Sequence, residues 1–202
     1  MRIVYFDTET TGLSPNMNFM TGYYGQVCQL AYTIVDGESV IAKNFFFTVD
    51  YVEPSASKVT GLTTDLLAVL SNGNKFADSA DEIYNDFSEA DYIVSHNFSF
   101  DKKFMDAEFS RLGRRFDYKN AICSMRSTVG YLKIPGFRNV YKLPSLKELG
   151  DYFGVSDIET SERAKELYDS SSVAHDARFD TVKLMLAVEI AKKVCPELMV
   201  LN

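Results

Sequence analysis

A tight turn, Asp36-Gly37, separates two apolar stretches rich in β-branched and aromatic residues, at about residues 26–36 and 39–49. Such runs folded back on each other through Asp-Gly form a hairpin, because glycine takes the positive φ that the turn requires. An earlier apolar run at residues 2–8 supplies a third strand, so the chain opens as an antiparallel meander. After Pro54 the texture changes, and residues 63–70 and 79–89 space their apolar side chains at helical intervals. Tyr92-Ile93-Val94 reads as a short strand, and Ala121-Ile122-Cys123 as another. Between them, residues 100–112 read as a helix whose stripe of Phe100, Phe104, Met105, Phe109 and Leu112 faces the core. Residues 132–144, with Pro135-Gly136 and Pro144, read as a loop. Ser145-Leu146-Lys147-Glu148 is a capping box that opens a helix, and a closing helix runs from near His175 to Lys193, ended by Pro196. Strands first, then helices alternating with strands, indicate one α/β domain over residues 1–202: a mixed five-stranded sheet of a three-stranded meander plus two further strands, flanked by helices.

Composition narrows the function. With 202 residues the chain can bury a substantial core. No apolar run approaches the roughly 18 residues of a membrane span, and no charged-then-apolar signal pattern precedes Asp7, so the expectation is a cytoplasmic protein without a membrane partner. Cys28, Cys123 and Cys195 are far apart, lack zinc spacing and suit packed thiols in a reducing compartment. A net charge of −7 excludes a general nucleic-acid coating protein, whose affinity rests on phosphate neutralisation. Local binding stays open if cations screen the carboxylates and a few basic residues line the approach. The candidates are Lys102-Lys103, Arg111 with Arg114-Arg115, and Lys133, Arg138, Lys142 and Lys147.

Asp7 and Glu9 stand two apart at the end of the first strand, so both carboxylates project from one face of a rigid edge. Two adjoining acids on a buried scaffold repel unless a cation neutralises them, which points to Mg2+ or Mn2+. From this segment alone they could equally cap the following turn. Asp101 lies just past a strand, at the start of a helix whose stripe fixes its rotation, and Asp180 falls on the last helix. His175 precedes Asp180 by five residues, a rotation of about 140° on a regular helix, so it belongs on the loop or first turn and reaches the site from outside.

Phe6-Asp7-Thr8-Glu9-Thr10-Thr11-Gly12, His96-Asn97-x-x-Phe100-Asp101 and His175-x-Ala177-x-x-Asp180, in this order and spacing, resemble the three motifs of the DEDDh 3′→5′ exonucleases. Within that family, residues 96–110 are most similar to the proofreading epsilon subunits of bacterial DNA polymerase III. The resemblance covers about residues 1–193 and implies a ribonuclease-H-like fold. It implies two divalent metal ions, Mg2+ or Mn2+, held by Asp7, Glu9, Asp101 and Asp180, with His175 as general base. The sister subgroup has Tyr four residues before the last acid; here that residue is Asp176.

The resemblance further implies backbone N–H groups around Thr10, Thr11 and Gly12 against the terminal nucleotide, and Leu13, Val59 and Phe104 packed against the last bases. His96 is read as ordering the strand-to-helix turn, and Asp106 and Glu108 as solvated helix positions. Two departures stand out: Thr60 where the family usually has His, and Cys123-Ser124 in place of Asp-Thr or Cys-Thr. The expected activity is release of 5′-mononucleotides from the 3′ end of single-stranded or frayed DNA. Association with a DNA polymerase is allowed, but the chain stops at Asn202, without the extension that tethers the proofreaders. The alternatives are an RNA-trimming 3′→5′ exoribonuclease, because the motifs do not report contacts to the 2′ position, or a catalytically silent nucleic-acid-binding module.

Overall fold

The computed structural model describes residues 1–170 and 172–194; the expected stop at Pro196 and the third thiol, Cys195, lie outside the described residues. β1 (Arg2–Thr10), β2 (Val27–Asp36) and β3 (Ser39–Phe46) form the meander, with Asp36 opposite Ser39 and Gly37 at φ 62° in the turn between them. β4 (Tyr92–Ser95) pairs parallel with β1, and β5 (Ala121–Cys123) parallel with β4. The sheet order is therefore β3-β2-β1-β4-β5, which puts β1 at its centre.

Several elements differ from their sequence reading for visible reasons. β3 stops at Phe46, short of residue 49, because Thr48 N–H leaves the sheet and donates to Asn74 O at 2.7 Å. α1 (Pro54–Thr60) buries no side chain and so carries no apolar stripe, whereas α2 (Thr64–Leu70) matches its expected span. α3 (Phe76–Glu89) begins three residues early, where the Asp78 carboxylate accepts from Lys75 N–H at 2.8 Å and caps the first turn. α4 (Phe98–Arg111) follows the left-handed Asn97, and its Glu108 is not solvated. Glu108 is buried and accepts from Val27 N–H at 2.8 Å, a donor left over where a bulge between Glu9 and Thr10 shifts the β1–β2 register.

Two short helices, α5 (Ser124–Ser127) and α6 (Val129–Leu132), lead into a loop with a 3-10 turn at Phe137–Asn139. α7 (Leu146–Tyr152) opens on the expected Ser145–Glu148 capping box. α8 (Asp157–Tyr168) buries only Thr160 and Ala164, too little for a periodic signal. α9 (Ala177–Val194) closes the described chain along the sheet, and no described helix is long and apolar enough to cross a membrane.

The two sheet faces pack differently. Val4, Phe6, Leu30, Tyr32 and Ile93 join α3 and α4 in a core dominated by aromatic rings. Ile3, Tyr5, Val94 and Ile122 join α7, α8 and α9 in an aliphatic core. Cys28 is buried in a third cluster and Cys123 half-buried, both as free thiols.

Candidate metal and nucleotide site

Strand alternation decides which way the acids point. Ile3 and Tyr5 face the α9 layer, so Asp7 and Glu9, continuing the same parity, emerge on that side at the end of the strand. α9 brings Asp180 to meet them, and one carboxylate oxygen from each of Asp7, Glu9 and Asp180 lies within 4.8 Å of the others. All three are half-buried.

The placement of α9 depends on β2. Gln29, opposite Glu9 in the β1–β2 register, is buried; its Nε2 donates to Asn44 Oδ1 at 2.9 Å and to Asp176 Oδ1 at 3.0 Å. Its Oε1 accepts from Ala177 N–H, the first residue of α9, at 3.4 Å. Further along, Thr181 Oγ1 donates to Ala31 O at 3.0 Å. Gln29 belongs to no motif in the sequence; its only signal there is an amide set in an otherwise apolar run, between Cys28 and Leu30.

Asp101 reaches the site from the opposite layer. Asn97 at φ 68° turns the chain from β4 into α4, and Asp101 Oδ1 accepts from Thr8 Oγ1 at 2.8 Å and Thr8 N–H at 3.2 Å. That bonding holds it outside the tight group of three acids, yet beside Asp7, whose charge it opposes more than any other carboxylate does. His96 is not aimed at the acids: its ring lies 2.9 Å from Ser124 Oγ through Nδ1, and its Nε2 donates to Pro144 O at 3.0 Å. Burial lowers its pKa to about 4, so it is a neutral tie between loops. His175 occupies the turn just before α9 at φ 67°, exposed, with its backbone N–H 3.3 Å from Asp180 Oδ2.

The electrostatics describe a site short of positive charge. Burial, then repulsion from Asp101, Asp180 and Glu9, holds the Asp7 carboxyl well above the usual range. Burial and the charges of Asp180 and Asp176 push Glu9 up to about 9. Burial raises Asp101 to about 7, against the Thr8 hydrogen bonds, and Asp180 to about 6, against nearby His175. Hard oxygen donors converging within one coordination sphere, each costly to ionise in the others' presence, fit a Mg2+-like or Mn2+-like cation. Asp176 behaves oppositely: hydrogen bonds from Arg178 and Gln29 outweigh its burial and hold it below the usual range.

Beside Glu9 opens a cavity of about 300 Å³, lined by Thr8, Thr10, Gly12, Leu13, Val59, Thr60 and Phe100 among others. Leu13 is 77% exposed and Val59 57%, so both present apolar surface to an incoming group. The Glu53 carboxyl packs close over Gly12, where a Cβ would stand 2.7 Å from its carboxyl carbon and push that side chain aside. Two expected contacts are placed elsewhere. Phe104 is fully buried in the aromatic core, and Phe100, one turn earlier on the same stripe, carries the ring that lines the cavity, 5.2 Å from Phe104. Thr11 turns inward: its N–H donates to Gln26 O at 2.9 Å and its Oγ1 accepts from Gln26 N–H, leaving that backbone donor occupied.

The RNase_T exonuclease family matches residues 4–164, a span that holds Asp7, Glu9 and Asp101 and ends before His175 and Asp180. The chain is 29% identical over 177 residues to the DNA polymerase III PolC-type of Bacillus subtilis, covering 85% of this chain and 11% of that protein. It is 30% identical over 163 residues to the DNA polymerase III subunit epsilon of Pasteurella multocida, covering 77% of this chain and 59% of that one. Against the Escherichia coli epsilon subunit the identity is 29% over 143 residues, with 68% and 56% covered. The chain thus spans less than two thirds of the length of each of these relatives. Among solved structures, E. coli Exonuclease I in complex with a dT13 oligonucleotide superposes with a TM-score of 0.72 at 20% identity, over 98% of this chain and 42% of that one, a likeness of fold.

Proposed function

Because the chain belongs to the RNase_T family of exonucleases, we propose that residues 1–202 form one DEDDh domain that removes 5′-mononucleotides from the 3′ end of single-stranded or frayed DNA. The observation that carries this reading is the convergence of Asp7, Glu9 and Asp180 within 4.8 Å beside an apolar-lined cavity. The polymerase relatives favour DNA over RNA.

Asp7, Glu9 and Asp180 are the metal-holding residues of the proposal, with Asp101 as the fourth. Two divalent ions bound there would lower the pKa of the attacking water and stabilise charge on the leaving 3′ oxygen. His175, exposed on the turn beside Asp180, accepts the proton of that water on a ring nitrogen, a task suited to an imidazole near neutral pH. Leu13, Val59 and Phe100 pack against the terminal bases without reading their edges, which suits removal of any nucleotide. Thr10 and Gly12 shape the floor next to Glu9.

The test is release of 5′-mononucleotides from labelled single-stranded DNA, RNA and mismatched duplex, each with Mg2+ or Mn2+ and with chelator. Chelator-sensitive release from DNA is expected, and Asp7→Ala is expected to match the chelated enzyme. Preferential attack on RNA would transfer the reading to an exoribonuclease, and no release from any substrate would end it. His175→Ala should keep its melting temperature and metal binding while kcat falls by about 10² to 10⁴; near-normal kcat would remove the base assignment.

A further inference from the structure

Most of the basic residues singled out in the sequence are neutralised within the fold. Lys102, Arg111, Arg114, Arg115, Lys142 and Lys147 each pair with a carboxylate. Lys103 donates to Leu13 O at 2.6 Å. From that set, Lys133 and Arg138 have no carboxylate partner among the described residues. Both lie on the loop between α6 and α7, and both hold left-handed backbones, at φ 48° and 56°.

The loop is built rather than slack. Pro135 and Tyr141 form an antiparallel bridge, and Lys142 N–H donates to Ile134 O at 3.0 Å. At Gly136 the strands approach so closely that a Cβ would stand 2.5 Å from Val140 O. Its far end is fixed by Pro144 O on His96 Nε2 at 3.0 Å, and His96 opens the turn that places Asp101. The end of the arm is therefore tied to the turn that leads into α4. Its outer surface alternates rings and cations: Phe137 is 83% exposed and Tyr141 48%, with the Arg138 guanidinium 5.1 Å from the Phe137 ring centre. A large ring held in water on a fixed loop beside an unpaired guanidinium offers a π-face and a phosphate ligand together. In a chain of net charge −7, a polyanion must be met where cations are unpaired.

Resting on the exonuclease reading of the site, we propose that residues 133–143 are a docking arm for the single-stranded nucleic acid leading away from the cleaved end, with bases stacked on Phe137 and Tyr141 and phosphates met by Lys133 and Arg138. The arm would lower KM for long strands and leave the chemical step to the acids.

The test uses a fluorescein-labelled twelve-nucleotide oligothymidylate, with binding read by anisotropy in chelator across about 50 to 300 mM salt. Hydrolysis of that strand is compared with hydrolysis of a thymidine dinucleotide. The double variant Phe137→Ala/Arg138→Ala should bind about tenfold more weakly, with a salt slope shallower by about 0.7, the value of one lost phosphate contact on a single strand. Its kcat/KM advantage for the long strand over the dinucleotide should shrink by the same factor through KM, and Phe137→Tyr should retain it. Wild-type affinity and length preference in the double variant would overturn the proposal, as would an oligothymidylate that the wild type does not bind at the lowest salt. If the wild type binds but hydrolyses nothing, the exonuclease reading fails and the binding data alone decide the arm.

Discussion

The two faces of the sheet are packed from the same strands, yet interlocking aromatic rings fill much of one core, whereas aliphatic side chains make up nearly all of the other. On the α3 and α4 side, Phe6, Tyr32 and Phe116 each lie 5.1 to 5.3 Å from Phe87, and Phe109 bridges Phe116 and Phe76. These edge and stacked contacts give a dense foundation with little room to shift. On the α9 side, Tyr5 donates to Glu189, and the buried Lys183 reaches Asp157 past Gly150, where a Cβ would collide with the lysine stem. Buried charge there is paired until the end of β1, where Asp7, Glu9 and Asp180 face one another, offset in part at Asp180 by nearby His175 and Lys183. One face stores stability, and the other spends some of it on a reactive cluster.

That contrast predicts opposite signs for substitutions a few ångströms apart. Asp7→Asn removes a carboxyl that its neighbours repel, so melting in chelator should rise while turnover falls by about a hundredfold to a thousandfold, the scale of losing a charge-stabilising group. A lower melting temperature in chelator would show that the cluster is structural. Phe87→Ala, on the foundation, should cost about 3 to 5 kcal/mol by urea unfolding, with kcat of the folded fraction within a few-fold of wild type. A loss confined to activity would erase the distinction between the faces.

pH sharpens the same comparison. A carboxyl whose folded pKa is raised binds its proton more tightly in the native state than in the unfolded one. The metal-free fold is therefore favoured below the ordinary carboxylate value of about 4. It loses that advantage as pH climbs through about 6 for Asp180, 7 for Asp101 and 9 for Glu9. Added Mg2+ or Mn2+ replaces the protons, so its stabilising shift in melting temperature should be small at pH 5 and grow steadily to pH 9. A shift that does not change with pH would mean that the cation binds elsewhere.

How much of this was legible depends on where each signal lies along the chain. The hairpin at Asp36-Gly37, the Ser145 capping box and the acids of β1 are local patterns, and the fold keeps them. α8 was invisible because its buried side consists of Thr160 and Ala164, and α1 because nothing in it is buried. Phe100 and Phe104 share one stripe, so periodicity could not say which ring stays in the core and which meets the cavity; the fold buries Phe104 fully and leaves Phe100 on the cavity wall. Glu108 was misread because its partner, Val27 N–H, is freed only by a register shift in a distant strand pair.

Gln29 tests the weakest link between the faces. It bonds β3 through Asn44, the loop through Asp176 and the start of α9 through Ala177, so it sets the rotation at which Asp180 meets Asp7 and Glu9. Gln29→Met keeps the volume and removes all three bonds, leaving the half-buried Asn44 and Asp176 without this partner, although Arg178 still holds the Asp176 carboxylate. The expected stability loss is about 1 to 3 kcal/mol. The expected loss in kcat is about tenfold, at the low end for a residue that orients metal ligands, with KM for a short strand nearly unchanged and the metal requirement shifted to higher concentration. If kcat and the metal requirement both stay at wild-type values while stability falls, α9 is positioned by its apolar face and its bonds through Thr181, Lys183 and Glu189, and Asp180 does not owe its place to Gln29.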